Sequence, residues 1–203
     1  METVKQTAPQ QTRSLREMTR DAVRTQISET VIDLVAKHGF DQVTVEQIAA
    51  AVGISTRSFN RYFPTKEDAI LGDVRPWGKF LTEAFTSRPA KEPAWASLQG
   101  AYLALLDLAE GQGERRKRIM RVIAGTPSLR ARNLEKQLLW EQALTPVVAE
   151  RIEGADALLR AQALVRASLG CFDIALTTWV EPTETRTLAE LLTLLFNTLE
   201  LTR

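Results

Sequence analysis

One stretch of this chain carries a set of side chains with a definite joint chemistry. Ser55-Thr56-Arg57-Ser58 is followed by Asn60-Arg61-Tyr62 and, after a proline, by Lys66. A guanidinium matches guanine O6 and N7 as a two-pronged donor, an amide matches adenine, and short hydroxyls serve bases or phosphates. Tyr62 and Lys66 suit phosphate oxygens, which position a protein on a duplex without reading sequence. Most enzymatic chemistry is harder to assemble. The chain has one cysteine, Cys171, and one histidine, His38, so it forms no internal disulfide, and no Cys–His pair or His/Cys metal cluster is expected. Carboxylates are plentiful, so a small helical enzyme working through Asp107, Glu110 or Asp173 is a competing reading. A dimeric interaction module without DNA binding is another. No cofactor and no metal are expected.

These residues need elements to hold them. Val23, Ile27, Val31, Leu34 and Val35 recur at helical spacing, and Gly39 closes that helix. Thr44 with Gln47 has capping-box spacing, and Val45, Ile48, Ala49 and Val52 give the following helix a buried face. Gly53 ends that helix by permitting positive φ. Ser55 caps the next helix, with Phe59, Tyr62 and Phe63 turned toward the core, and Thr65 caps a fourth in which Pro76 predicts a kink or break. Two short helices joined by Val52-Gly53-Ile54-Ser55 form a helix-turn-helix.

Further helical patterns run over 94–110, 114–124, 128–152, 155–180 and 183–202, separated by Gly- and Pro-containing breaks. The fold expected is all-α with about nine helices. Residues 1–13 are expected as a disordered arm, 14–72 as the helix-turn-helix domain, and 73–203 as a ligand-binding and dimerisation domain. Hydrophobic residues make up 44% of 203, net charge is +1, and acids balance bases up to Arg75. Any DNA-binding charge must therefore be segregated on one face. No apolar run approaches the ~20 residues that span a bilayer, and the first residues lack an apolar signal core, so a cytoplasmic protein without a membrane partner is expected.

Three motifs in order, H-G-F at 38–40, T-V-E-Q-I-A-A-A-V-G-I-S at 44–55 and Y-F-P-T-K-E-D at 62–68, resemble the N-terminal domain of the TetR family of bacterial repressors. The resemblance implies a homodimeric transcriptional repressor that binds a palindromic double-stranded DNA operator. It places Thr44, Arg57, Asn60, Tyr62 and Lys66 at DNA, and the recognition helix adds Ser55, Thr56, Ser58 and Arg61. It further implies that the remaining helices bind a small-molecule effector and form the dimer.

Candidates for the effector pocket are Trp77, Phe80, Trp95, Tyr102, Leu106, Met120, Ile123, Trp140 and Phe172. Candidates for the interface, on the last two helices, are Leu164, Ala167, Cys171, Leu188, Leu191, Leu192, Leu195 and Leu199. The segments R-R-K-R-I-M-R-V-I-A-G-T-P-S-L-R-A-R at 115–132 and W-E-Q-A-L-T-P-V-V-A-E-R-I at 140–152 resemble the sensor of the TetR subgroup that includes the mycofactocin-system regulator. That resemblance implies acyl-coenzyme A or a similar acyl effector, with the arginines facing the coenzyme's phosphates. Cys171 is expected as a small buried hydrophobe, and His38 at the end of the first helix, where a cation suits the dipole.

Overall fold

Capping chemistry sets where the N-terminal helices begin. In the computed structural model, which describes residues 14–72, 75–108 and 113–200, helix α1 (Leu15–His38) ends at Gly39, whose φ is 84°. The arm expected over 1–13 lies outside the described residues. After a 3-10 turn at Phe40–Gln42, the Thr44 hydroxyl accepts from the Gln47 amide at 3.3 Å while the Gln47 side chain accepts from the Thr44 amide at 2.9 Å. This reciprocal pair starts α2 (Val45–Val52). The Ser55 hydroxyl accepts from the Ser58 amide at 3.1 Å to start α3 (Thr56–Tyr62). The Thr65 hydroxyl accepts from the Asp68 amide at 3.2 Å to start α4 (Lys66–Leu71). Ile27, Val31 and Val35 of α1, Ile48 of α2, Phe59 and Phe63 around α3, and Ile70 of α4 make a single core.

Of the kink or break that Pro76 predicts, the structure has the break, and it falls at Gly72 ahead of the proline. Gly72 closes α4 with φ 68° and ψ −169°, and α5 runs over Arg75–Thr86. Pro76 sits in the first turn of α5, where backbone N–H groups have no partner within the helix, so the proline opens a helix. The described residues thus form ten α-helices and no strand. Pro127 likewise opens α8 (Pro127–Ala149), after α6 (Ala94–Asp107) and α7 (Gly113–Gly125). Helix α9 (Ala157–Trp179) lies against α6, α7, α8 and α10 (Leu188–Glu200). A helix with that many neighbours must be apolar on more than one side.

The second core gathers Leu81, Phe85, Leu98, Tyr102, Leu144, Val165, Leu192 and Phe196. Ile123 of α7 and Leu129 of α8 join the first core instead, so the two halves are packed together and not merely tethered. Arg151, just beyond α8, ties the α5–α6 connection down. Its guanidinium donates to the Phe85 carbonyl at 2.9 Å, the Arg88 carbonyl at 2.8 Å and the Ser97 hydroxyl at 2.8 Å. Among the described residues no helix is long and apolar enough to cross a membrane.

Candidate functional site

Helix α3 is held by one face and free on the other. Phe59 is fully buried and Phe63 nearly so, their rings 6.1 Å apart. Thr56, Arg57, Asn60 and Arg61 lie on the opposite face, exposed. The end of the helix is pinned from α1: the Arg24 guanidinium lies 4.2 Å from the Phe63 ring centre and donates to the Tyr62 carbonyl at 2.5 Å. Arg61 stacks over the half-buried Tyr62 ring at 5.4 Å.

The hydroxyls named from the sequence are more constrained than their types indicate. Ser55 caps α3 and donates to the Ser58 hydroxyl at 3.0 Å, and Thr44 is held in its capping box. Lys66 has a structural task. Its ammonium donates to the Phe40 carbonyl at 2.8 Å and the Val43 carbonyl at 3.0 Å and sits 4.0 Å from the Phe40 ring centre, tying α4 to the 3-10 turn. Linear reading missed Arg16 and Arg20 of α1, which share with Arg61 and Tyr62 an open groove of about 430 Å³. Its described lining residues include no carboxylate, and such a cationic lining suits phosphate oxygens. No local signal reveals this, because the partners lie some forty residues apart in the chain.

A second cavity, of about 330 Å³, lies where the two halves of the chain meet. Trp77, Leu106, Met120, Ile123, Trp140 and Phe172, six of the nine expected residues, line it. Phe80, Trp95 and Tyr102 do not. Phe80 packs against the second core. Trp95 stacks on Phe196 with ring centres 4.4 Å apart and donates its indole N–H to the Phe196 carbonyl at 3.1 Å. Tyr102 lies fully buried behind Phe172, ring centres 5.0 Å apart, with its hydroxyl 3.3 Å from that of Ser168. Burial pushes its phenol well above the ordinary range.

The sequence reading also missed one wall of this cavity. Ser28 and Ile32 of α1 and Ile70, Leu71 and Gly72 at the end of α4 face it. Arg115 and Arg116 of α7 complete the lining with Asn133 and Gln137 of α8. Asp107 and Asp173 do not reach it, and Glu110 lies outside the described residues. Of the basic run in α7, Arg115 pairs with Glu29 at 3.3 Å and Arg118 with Asp33 at 3.4 Å, both on α1. Lys117 sits over the Trp179 ring at 5.1 Å, and Arg121 donates to the Val180 carbonyl at 3.3 Å.

The expected interface residues separate by face. Leu188, Leu191, Leu192 and Cys171 are buried within the single chain, Leu192 completely. They pack into the second core and leave little surface exposed. Leu164, Ala167 and Leu195 are half-buried and Leu199 is exposed. The large apolar residues pointing outward are Leu158, Leu159 and Ile174 of α9 and Leu194 and Leu199 of α10. Burial raises the Cys171 thiol above its usual range, in keeping with a small core residue. His38 is exposed in the last turn of α1.

Comparison with known proteins gives this geometry its relatives. Residues 29–70 match the family profile of bacterial regulatory proteins, tetR family, and residues 92–202 match that of the MftR C-terminal domain. The chain is 31% identical over 150 residues to MftR of Mycobacterium tuberculosis, a protein named for transcriptional regulation of mycofactocin biosynthesis, across 71% of this chain and 73% of that one. It is also 31% identical over 148 residues to the HTH-type transcriptional regulator TcmR of Streptomyces glaucescens, across 70% of this chain and 65% of TcmR. Among solved structures, FadR of Thermus thermophilus, a TetR family repressor in complex with lauroyl-CoA, superposes with a TM-score of 0.53 at 22% identity, covering 87% of this chain and 93% of that one.

Proposed function

The chain belongs to the TetR family of bacterial regulatory proteins, and from that footing we propose that it is a homodimeric repressor released from a palindromic operator by an acyl-type effector such as an acyl-coenzyme A. The observation that carries this reading is the division of α3. Phe59 and Phe63 anchor one face in the core, and Thr56, Arg57, Asn60 and Arg61 stand free on the other. Arg57 and Asn60 are the base readers and Thr56 assists them. Arg16, Arg20 and Arg61 lie along the backbone, where phosphate contacts supply affinity that falls with salt. Tyr62 shapes that groove, while Ser55, Ser58, Thr44 and Lys66 hold the reading helices in place.

A twofold dimer sets two such helices about 34–36 Å apart, or a multiple of that, to meet two half-sites. The outward apolar residues of α9 and α10, Ile174 and Leu194 foremost, form the seam. The effector occupies the cavity between the halves. Because α1 and α4 supply one of its walls, filling it acts directly on the elements that carry α3. A coupling of about 1–3 kcal/mol between effector and operator is the usual scale for such opposition.

The test is binding of the purified protein to DNA fragments from around its own gene, with salt varied and lauroyl-CoA added. The expected result is a saturable shift of one palindromic fragment, weakened by salt and reversed by the acyl compound. A salt-sensitive shift shared equally by all fragments would refute sequence-specific reading. Indifference of a specific shift to acyl compounds would refute the effector class alone.

A further inference from the structure

The cationic part of the cavity wall is only weakly engaged by the rest of the fold. Arg115 and Arg116 both line the cavity, and its described lining residues include no carboxylate. Their neighbours in the same run are engaged: Lys117 with Trp179, Arg118 with Asp33, Arg121 with the Val180 carbonyl. Arg116 is half-buried, yet no described residue hydrogen-bonds to it or pairs with it. Its guanidinium is held below the ordinary value by burial. Arg115 has a carboxylate nearby, with Nε 3.3 Å from Glu29, but that buried N–H is not aligned to form a hydrogen bond. Both arginines stand near the start of α7, where the positive end of the helix dipole disfavours cations. A partly desolvated cation is stabilised by an anion brought beside it, and a guanidinium offers an oxyanion two parallel donors.

Building on the reading that this cavity takes an effector, we propose that the effector carries an anionic group seated on Arg116, with Arg115 as second donor, and that Arg116 selects charged amphiphiles over neutral ones. The rest of the wall, including Ile32, Ile70, Met120 and Phe172, suits an alkyl chain. At about 330 Å³ the cavity is at the small end of the ~300–1,000 Å³ found for ligand sites, which favours one chain with one headgroup. A fatty carboxylate and the phosphates of a coenzyme-linked acyl chain both supply the required chemistry. When Arg115 turns to the anion it leaves Glu29, loosening α1 from α7.

The test is calorimetric titration of the full-length protein with dodecanoate, lauroyl-CoA and neutral dodecanol, in the wild type and in Arg116→Gln and Arg116→Lys. The wild type is expected to bind at least one anion about ten-fold or more tighter than the alcohol, a difference of ~1.4 kcal/mol. That ratio is expected to collapse toward one in Arg116→Gln and to be partly kept in Arg116→Lys. The tighter of the two anions identifies whether carboxylate or phosphate occupies the site. Arg116→Gln is also expected to melt no lower than the wild type without ligand, because it removes an unpaired cation. A preference for anions that survives in Arg116→Gln overturns the proposal. So does equal binding of all three probes by the wild type, which leaves the acyl-effector reading standing. Binding of none overturns both.

Discussion

Of the glycines that end helices in the DNA-binding half with positive φ, Gly53 and Gly72 should respond differently to the same substitutions. Gly53 closes α2 at φ 76° and ψ 31°, in the left-handed helical region. Gly72 closes α4 at φ 68° and ψ −169°, a region open to almost nothing but glycine. An added Cβ meets nothing within 4 Å at either site, so any cost lies in the backbone alone. Left-handed geometry costs an alanine about 1–2 kcal/mol, and asparagine less, because its side chain bonds locally. At Gly72 the cost is about 1–3 kcal/mol, and asparagine has no such remedy. In a chain of this size each kcal/mol lowers the melting temperature by ~2–4 °C, so Gly53→Ala should melt ~2–8 °C below the wild type. The assay is thermal unfolding by circular dichroism of Gly53→Ala, Gly53→Asn, Gly72→Ala and Gly72→Asn. Asparagine should be clearly milder than alanine at 53 and no milder at 72. Equal damage by the two at 53, or a rescue by asparagine at 72, would refute the backbone reasoning. Since Gly72 also lines the cavity and joins α4 to α5, its variants should shift the effector concentration that releases DNA.

Other consequences concern the sensor half. The Arg88 guanidinium and the Ser97 hydroxyl bind the Glu92 carboxylate and hold it down to about 2 from a usual 4.5. A depressed carboxylate stabilises the fold above its unfolded value and loses that contribution as the pH falls toward its folded value. Melting temperature should therefore fall less steeply between pH 4.5 and 2 in Glu92→Gln than in the wild type; identical slopes would contradict the assignment. Ile174→Asp and Leu194→Asp, at sites 51% and 50% exposed, should shift sedimentation from dimer to monomer while helicity is retained. Leu192→Asp, at a site with no exposure, should unfold the chain; dimers that persist in both surface variants would move the seam elsewhere. Phe59→Ala should cost about 3–5 kcal/mol as a buried aromatic truncation and abolish DNA binding with it. A well-folded Phe59→Ala that still bound the operator would show that α3 is held by something other than its core face.

What could be read from the sequence was what local chemistry determines. Thr44 with Gln47, Ser55 and Thr65 mark helix starts because a cap acts within a few residues, and each stands at a helix start in the structure. Phe59 and Phe63 were readable as core because α3 is short and has only one apolar face. That the fourth pattern breaks was also readable, but not that the break precedes Pro76, since a proline in the first turn of a helix and one inside it look alike before the helix start is known. The aromatics of the sensor were separated by distant partners: Trp95 is held by Phe196, and Tyr102 by Phe172 and Ser168, contacts that leave no trace in local periodicity. The α1 and α4 wall of the cavity escapes a linear reading for the same reason, because it meets the sensor helices only across large separations in the chain. On α9 and α10 nearly every side is apolar, so pattern alone gave no way to tell Leu192, which faces the core, from Leu194, which faces out.

The central claim is that the exposed face of α3 reads base sequence. It is tested most directly by anisotropy titrations of Arg57→Ala and Asn60→Ala against the palindromic fragment and a scrambled one, at two salt concentrations. Each variant is expected to lose about 1–3 kcal/mol on the palindrome, roughly five- to 150-fold, with little change on the scrambled duplex and an unchanged salt slope. Equal losses on both fragments, or none on either, would contradict the account.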